Sequence, residues 1–535
     1  MNPLFLLIPI VLPIFGGLVL LIRPVENDIK RRILCEAVAC VTSACVWAAA
    51  LWMPHRPVTV YSFTRGFAVN FGVDGMANVF AVMISIMWPL VLLYAFEYMK
   101  GDEGSNRFFA FYVMTYGVTL GVCYSADMIT MYVFIEMLTL VTIPLVTHYG
   151  GHESMFAGRK YAAYTIGGAS LGFMAVVLTT MYGMDGIFRY GGSIFEVLDS
   201  GTMQLAFVLG FIGFGAKAAV FPLHDWLPTA SVAPTPVTAL LHAVAVVNSG
   251  VFAVMRMTYY VFGADYLRGT AAQAICLSLA IFSLLFGAVQ ALRERHFKRR
   301  LAYSTMSNLS YMLLAAMCMT PQGLKAGLAH MVFHGVIKIC LFMCAGAFIH
   351  RAHKAYIYEI NGIGRRMPYT FAAYTLCALS LTGIPPLCGF VSKWQLLTAG
   401  MDAATRAAAA ASAASDVAGG AASAAEAAAT GASGIGQAAA GAAGSTVSAI
   451  LPYILFAGVA ALIIAAFLCA MYSINISIRA FFPVEEKDLY KDSDVKEAGP
   501  LMLIPIYVFA ACNILAGLFP GPILEILTAI GEGRL

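Results

Sequence analysis

The chain has few charged residues. Only 11% of its 535 residues are Asp, Glu, Lys or Arg, whereas 60% are hydrophobic, and the mean hydropathy is +0.81. Soluble domains carry about 25% charged residues. The composition therefore excludes a soluble protein and predicts a polytopic membrane protein.

Motifs that hold metals, clusters or nucleotides are also missing. The sequence contains no CxxC pair, no GxGxxG and no GxxxxGK[ST], which argues against readable sites of these kinds. Its twelve cysteines are scattered through apolar segments, as Cys340 and Cys344 are, and this favours small packing residues over metal ligands. We expect no metal, no cofactor and no redox chemistry in this chain itself. Whether it belongs to an enzyme complex stays open.

Long apolar windows divide the chain. Residues 1–22 lack a basic start and an Ala-x-Ala cleavage pattern, so they are interpreted as a first span and not as a signal peptide. Fourteen windows of about 20 residues are long enough to cross a bilayer. They lie at 3–22, 33–53, 77–98, 108–126, 128–148, 161–182, 203–222, 236–262, 271–292, 301–319, 324–349, 369–398, 452–478 and 500–530.

The basic residues predict the orientation. Loops after odd-numbered spans hold 21 of the 32 Lys and Arg, and the opposite side holds eight, Arg256 among them. Because basic loops stay on the cytoplasmic side, we expect the odd loops in the cytoplasm and both termini outside, in a bacterial or archaeal inner membrane. Three basic residues are then left inside the membrane: Lys217, Lys338 and Lys393.

One apolar stretch carries three protonatable groups. Residues 327–350 contain His330, His334 and Lys338 at successive i+4 spacings. Each step turns only about 40° and rises about 6 Å, so the three groups form one polar stripe. An ionisable group at the bilayer centre costs about 2.5–3.5 kcal/mol or more. The stripe favours a proton or cation relay, although interhelical hydrogen bonding that merely holds a bundle together is an alternative.

Two spans are interrupted next to a lysine. The interrupting prolines are Pro222 and Pro228 after the seventh span, near Lys217, and Pro385 and Pro386 within the twelfth, near Lys393. Proline removes a backbone donor, which is tolerated at membrane depth only beside protein or water. Paired broken helices in matching positions are typical of inverted-repeat transporters. Ordinary proline kinks are the alternative.

Other titratable groups lie in neighbouring spans. Glu136 is in the middle of the fifth span, and with Lys217 it would form a pair whose separation controls proton uptake and release. His242 on the eighth span suits a proton carrier between lysines, or is only a packing residue. Asp74 is interpreted as a helix-start residue, and Glu36 as a span-end residue that water reaches.

Residues 401–450 form an Ala/Gly/Ser tract between the twelfth and thirteenth spans. This composition predicts a flexible or loosely helical external insertion without chemistry. A docking element is the alternative.

Four motifs carry a family resemblance. They are AxHxxxHxxxK at 329–338, GAKAAVFPLHDWLPTASVAPTPVTALLHA at 215–243, FIEMLTL at 134–140 and GIPPLCGFVSKWQL at 383–396. Together they resemble the antiporter-like subunits of ion-pumping membrane complexes. That superfamily includes subunits of respiratory NADH:quinone oxidoreductase, of Mrp-type Na+/H+ antiporters and of energy-converting hydrogenases. The resemblance is strong over about residues 70–400.

The resemblance implies an all-α fold of about fourteen transmembrane helices, with two inverted five-helix repeats. It divides the chain into N-terminal spans (1–107), a first repeat (108–262), a second repeat with its external insertion (271–478) and a C-terminal span (500–535). It also assigns a Glu–Lys pair, a central relay and an exit lysine. The Glu–Lys pair matches Glu136 and Lys217, and the exit lysine matches Lys393. The central relay matches His242, His330, His334 and Lys338.

Three details qualify the resemblance. The lysine at position 393 is the residue that the D-type antiporter and hydrogenase branches carry at the matching position. Many relatives have a lysine on the eighth span where this chain has Asn248. The chain is also expected to lack the long lateral helix of the longest oxidoreductase subunit.

The sequence hypothesis is a proton-translocating, possibly Na+/H+-translocating, membrane subunit of a redox-driven complex. Its expected partners are other membrane subunits, including further antiporter-like ones, the transported ions and the lipid bilayer, but no nucleic acid. One alternative is the D-type subunit of an Mrp-type Na+/H+ antiporter. A second alternative is a non-conducting structural membrane subunit.

Overall fold

The computed structural model describes residues 3–64, 67–182, 186–194, 200–426, 435–483, 490 and 494–535, without the side chains of residues 3, 241–243, 414–446 and 448. In these residues the fold is almost entirely helical. The helices of the first half are α1 (Leu7–Ile22), α2 (Asp28–Trp52), α3 (Gly75–Tyr98), α4 (Ser105–Tyr124), α5 (Met128–Val146), α6 (His152–Tyr182), α7 (Ser200–Lys217), α8 (Trp226–Thr229), α9 (Thr235–Ala243) and α10 (Val246–Arg256).

The second half of the chain is helical as well. Its helices are α11 (Ala264–Leu267), α12 (Ala271–Arg293), α13 (Phe297–Met317), α14 (Pro321–Ala352), α15 (Pro368–Thr382), α16 (Cys388–Glu426), α17 (Ile435–Phe481), α18 (Pro500–Leu518) and α19 (Gly521–Gly531). An antiparallel hairpin of β1 (Val58–Thr64) and β2 (Phe67–Phe71) connects α2 to α3.

Nine helices in the described residues are long and apolar enough to cross a membrane. The polytopic all-α architecture is thereby confirmed. Each of the fourteen predicted windows coincides with a helix or a pair of helices, and the count of fourteen spans stays a prediction. Polar side chains fix several helix starts: the Asp74 carboxylate accepts a hydrogen bond from Ala77 N at 2.8 Å, and that of Asp127 from Thr130 N at 2.7 Å.

The first break follows α7. This helix ends at Lys217, five residues before Pro222, and Pro228 lies inside the short α8. The indole N–H of Trp226 donates to the Ala216 carbonyl at 2.8 Å. The Ala216 carbonyl also accepts from Ala219 N at 3.1 Å, so a backbone turn and a side chain together satisfy it at the break, as an apolar environment requires.

The second break separates α15 from α16. Pro385 and Pro386 lie between Thr382 and Cys388, as expected. Gly383 ends α15 with φ +97°, a left-handed conformation that favours glycine. The Gly389 N–H donates to the Ser380 hydroxyl at 3.1 Å, which again satisfies a backbone group at the break.

A third break lies in the eighth span, which the sequence predicted as one helix. α9 ends at Ala243 and α10 begins at Val246, and a π-helical turn, Met257–Phe262, continues α10. No glycine or proline occupies positions 243–245. The local signals on which such a prediction depends are therefore missing.

The Ala-rich tract, predicted to be flexible or loosely helical, is helical where the structure describes it. α16 runs on to Glu426 and α17 begins at Ile435, so the described part of 401–450 is helical. Alanine has the highest helix propensity of all residues, and this outweighs the glycines of the tract.

One prediction about a charged residue is wrong and another is untested. Glu36 lies on α2, eight residues after the helix begins at Asp28, and its place at the water-accessible end of a span stays a prediction. Arg256 was assigned to an external loop but ends α10 and is 1% exposed, and the partly exposed carboxylate of Asp74 supplies its counter-ion at 2.7 Å. Lys298 is also buried, and its ammonium donates to the Ala233 carbonyl at 2.8 Å. Arg256 and Lys298 are thus buried in the protein, and the count of three basic residues inside the membrane stays a prediction.

Candidate functional site

Lys217 is the last residue of α7 and its ammonium points at α5. The Nζ lies 3.7 Å from Glu136 Oε1, an ion-pair distance that is too long for a hydrogen bond. Its hydrogen bonds go instead to the Ile135 carbonyl, at 2.9 Å, and to the Thr139 hydroxyl. The lysine is thus held beside the carboxylate by neighbours of that carboxylate.

Glu136 is less enclosed than its partner. Its side chain is 23% exposed, against 1% for Lys217. Val133 and Leu140, three and four residues away on α5, are exposed as well, so Glu136 lies at the edge of an outward face of the helix. Its charge is consequently accessible from outside this chain.

The predicted polar stripe lies on α14, where His330, His334 and Lys338 are all buried. The rings of His330 and His334 are 5.6 Å apart and nearly parallel. The three groups therefore form one internal file and do not face lipid.

α13 supplies polar partners to this file. Asn308 Oδ1 lies 3.2 Å from His330 Nε2, and the Ser304 hydroxyl accepts a hydrogen bond from Lys338 Nζ at 2.7 Å. The Ser304 hydroxyl is in turn 2.7 Å from the Tyr472 hydroxyl on α17. Ser304 and Asn308 are one helical turn apart, so one face of α13 serves the file.

His334 differs from its neighbours on α14. Neither ring nitrogen of His334 has a hydrogen-bond partner among the described residues, although the side chain is 0% exposed. Buried polar atoms in proteins are nearly always paired with protein or water. The centre of the file is therefore a place that suits water.

Lys393 follows the second break. Its ammonium donates to the Thr382 carbonyl, the C-terminal end of α15, at 3.3 Å, where the helix dipole favours a cation. It also lies 5.4 Å from the ring centre of Tyr311, whose ring is 5.5 Å from that of His330. Ser392, next to Lys393, lies 3.0 Å from His330 Nδ1. Lys393 thus approaches the file at its His330 end.

α10 connects the two halves. Gly250 packs so tightly against the end of α7 that a Cβ there would lie 2.7 Å from Ala218 N and 3.0 Å from Lys217 C. Asn248, two residues before Gly250, is fully buried. The side chain of His242, the predicted carrier between the halves, lies outside the described residues.

The structure groups the predicted residues in two places. Glu136 and Lys217 form one group, and His330, His334, Lys338 and Lys393 form the other. Pro222, Pro228, Pro385 and Pro386 lie at or beside the breaks and contribute no titratable group. In the part of the chain that the structure covers, no cluster of His, Cys, Asp and Glu has the geometry of a metal site.

Sequence reasoning missed the polar partners. They are Thr139, Ser304, Asn308, Tyr311, Ser392 and Tyr472. A signal was present for α13, whose segment YSTMSNLSYM is unusually polar for a membrane helix.

Two protein-family models match the chain. The model described as "NADH:quinone oxidoreductase/Mrp antiporter, TM" matches residues 125–417, and the one for the N-terminus of chain 5 of NADH-ubiquinone oxidoreductase (complex I) matches residues 62–109. The first match covers more than half of the chain and includes both broken spans.

Curated relatives agree with these matches. The chain is 32% identical over 362 residues to the chloroplastic NAD(P)H-quinone oxidoreductase subunit 5 of Lemna minor, and 31% identical over 363 residues to that of Nandina domestica. These alignments cover 63% and 64% of this chain but 47% and 48% of the relatives. The chain thus spans about half the length of the curated relatives it matches.

Solved structures share the whole fold. A chain of the Mrp complex from Dietzia sp. superimposes with a TM-score of 0.79 at 18% identity, over 100% of this chain and 98% of that one. A chain of respiratory complex I from Thermus thermophilus gives a TM-score of 0.74 at 21% identity, over 99% and 100%. At these identities the likeness establishes the fold alone.

Proposed function

The chain belongs to the NADH:quinone oxidoreductase/Mrp antiporter membrane family, and we propose that it translocates protons as one membrane subunit of a larger redox-driven complex. The Lemna minor and Nandina domestica relatives are named as subunits of NAD(P)H-quinone oxidoreductases, which supports a complex of this type. In this proposal the chain carries no redox centre, so it moves protons and transfers no electrons.

The observation that carries the proposal is the file of buried titratable groups. Protons enter at the Glu136–Lys217 pair, pass to the file on α14, and leave near Lys393. The 3.7 Å ion pair at one end and the Lys393–Tyr311–His330 contacts at the other support these roles. Burying such groups is costly, so their alignment argues for a function.

Water completes the route. The two ring nitrogens of His334 have no partner in the described part of the chain, and water molecules there would link His330 to Lys338. Between the halves, α10 with Asn248 and the predicted carrier His242 provides the connection. A lysine is not required at position 248 if His242 and water carry the proton.

Neighbouring subunits drive the cycle through Glu136. A charge brought close to this carboxylate from outside changes how strongly it holds Lys217. The partial exposure of Glu136 next to the outward-facing Val133 and Leu140 supports a neighbour at this surface. When the pair loosens, the Lys217 ammonium is free to give up its proton to the route.

Substituting the two terminal lysines tests the proposal. Lys217→Ala and Lys393→Ala should each abolish proton uptake by membrane vesicles that contain the assembled complex, while native gels show normal assembly. The corresponding Arg variants should assemble but transport poorly, because arginine does not release its proton. Uptake that persists in both Ala variants contradicts the proposal. Loss of assembly with normal uptake per remaining complex supports the structural-subunit alternative.

A gradient-driven Na+/H+ antiporter is the second candidate, and the 0.79 TM-score to the Mrp-complex chain supports only the shared fold. The partner chains separate the candidates. Redox subunits that co-purify with this chain support the pump, and small antiporter subunits without redox centres support the exchanger.

A further inference from the structure

The N-terminal helices contain a second polar cluster, apart from the relay. It lies between α2, α3 and α4 and is made of Glu36, Trp88, Tyr112 and the Ser43–Tyr116 pair. No hydrogen bond, ion pair or ring contact joins these residues to the relay groups whose side chains the structure describes. The cluster is therefore not explained by the proposed function.

Glu36 is the only carboxyl group of this cluster. It lies four residues beyond Arg32, about 6 Å further along α2, where Ile33 and Leu34 are already exposed as lipid-facing residues are. Its Oε1 is 3.6 Å from Cys40 Sγ, and its Oε2 is buried. One carboxyl oxygen thus lies beside the exposed Cys40, and the other turns inward.

Three polar atoms of the cluster are buried without a hydrogen-bond partner among the described residues. They are Glu36 Oε2, the Tyr112 hydroxyl and the Trp88 indole nitrogen. Glu36 is within electrostatic range of Tyr112, and the rings of Tyr112 and Trp88 are 5.6 Å apart. Leaving a polar atom unpaired in the interior costs about 1–3 kcal/mol, so the three atoms favour small polar ligands such as water in this part of the bundle.

The cluster continues inward through Tyr116. The Trp88 ring stacks on the Tyr116 ring at 4.8 Å, and the Tyr116 hydroxyl is 2.9 Å from the Ser43 hydroxyl. Ser43 is seven residues beyond Glu36, about 10 Å along α2. The cluster therefore leads from the end of the bundle at which α2 begins towards its middle.

Glu36 has no counter-ion in the described part of the chain. The titratable groups within its electrostatic range are Cys35 and Cys40 on α2 and Tyr112 on α4. The nearby Arg31 bonds to Asp28 and to the Val25 carbonyl. A carboxyl group at this depth without a cation lowers its burial cost by holding a proton.

We propose that Glu36, Tyr112 and Trp88 form a second proton-binding site, lined by water and filled from the end of the bundle at which α2 begins. The protonated carboxyl donates a hydrogen bond towards the Tyr112 hydroxyl, and water bridges to the Trp88 N–H. The inward turn of Oε2 favours this site over a contact between Glu36 and a basic side chain of a partner subunit.

Carbodiimide labelling tests this site on the full chain in its native membrane. A protonated carboxyl adds across a C=N bond of a carbodiimide: its oxygen bonds to the central carbon and its proton goes to a nitrogen. The acyl group then migrates from oxygen to nitrogen, and a stable N-acylurea remains without any leaving group. The lipid-soluble dicyclohexylcarbodiimide reaches the membrane interior, whereas a water-soluble, charged carbodiimide does not.

Peptide mass spectrometry should find Glu36 labelled by the lipid-soluble reagent and not by the water-soluble one. Exposed Glu26, ten residues earlier, is the internal control and should show the opposite preference. The label should be lost in Glu36→Gln and kept in Glu136→Gln, which separates this site from the relay. If both reagents label Glu36, its carboxylate is exposed to water. If neither reagent labels it, a partner chain neutralises the carboxylate. Either result overturns the proposal.

Infrared difference spectroscopy between acidic and alkaline pH gives a second readout. A carboxylic-acid C=O band that shifts in heavy water should appear and should be missing in Glu36→Gln. If Glu36→Gln retains the whole band, no proton binds at Glu36.

Discussion

The Lys217 ammonium lies 3.7 Å from the Glu136 carboxylate, yet its hydrogen bonds go to the Ile135 carbonyl and the Thr139 hydroxyl of the same helix. The two side chains are therefore close to each other but are not joined by a hydrogen bond. Such a pair can separate by a small movement while the lysine keeps two of its acceptors.

Thr139 should be needed to hold Lys217 in this position. A hydrogen bond to a charged group contributes about 1.5–3 kcal/mol, so we expect Thr139→Val to lower proton uptake by about tenfold or more. Thr139→Ser keeps the hydroxyl and should retain most of the uptake. Uptake by vesicles, normalised to assembled complex, measures both. Equal uptake in the Val and Ser variants would show that this hydrogen bond is dispensable.

Asn308 should orient His330. Asn308→Leu removes the partner at 3.2 Å from His330 Nε2 and leaves that nitrogen unpaired, so we expect a loss of uptake of about tenfold. Ser310→Ala on the same helix is the matched control, because the Ser310 hydroxyl only donates to the Met306 carbonyl at 3.0 Å. If the two variants transport alike, Asn308 has no special role.

Much of the fold could be predicted from the sequence. Apolar windows located the helices, and the histidines and lysine at i+4 spacing predicted a stripe that lies buried on α14. The break beside Lys393 was also found, because Pro385 and Pro386 prevent a continuous helix there.

Other features depend on tertiary contacts and could not be predicted from the sequence. The break between Ala243 and Val246 has no proline or glycine to mark it. Arg256 is buried because Asp74, 182 positions away, neutralises it, and no local pattern reports such a distance. Ser304 and Asn308 matter only because α13 packs against α14.

Arg256 and Asp74 should depend on each other for stability. Arg256 is buried and Asp74 is 31% exposed, so Arg256→Met leaves a partly buried charge unpaired, which costs less than in a fully buried pair and should moderately lower the melting temperature in detergent. The double variant Asp74→Asn, Arg256→Met should recover part of the loss, because asparagine still caps α3 and no charge is left unpaired. A double variant less stable than Arg256→Met alone would show that the two residues are not coupled in this way.

Gly383 should be difficult to replace. Its φ of +97° disfavours other residues, and a Cβ would lie 3.1 Å from Lys393 Cδ. We expect Gly383→Ala to destabilise the chain by about 1–3 kcal/mol and to lower uptake by displacing Lys393. Gly521→Ala, where nothing lies within 4 Å of the added Cβ, should change neither the melting temperature nor the uptake. If Gly383→Ala behaves like Gly521→Ala, the break tolerates a side chain.

The most direct test of proton transfer through the file is proton uptake by the reconstituted, normally assembled complex with Lys338→Ala, compared with Lys325→Ala on the same helix. Lys338 is fully buried and donates to Ser304, whereas Lys325 is thirteen residues nearer the start of α14 and takes no part in the file. Uptake should be lost in Lys338→Ala and retained in Lys325→Ala. Wild-type uptake in Lys338→Ala would contradict the account.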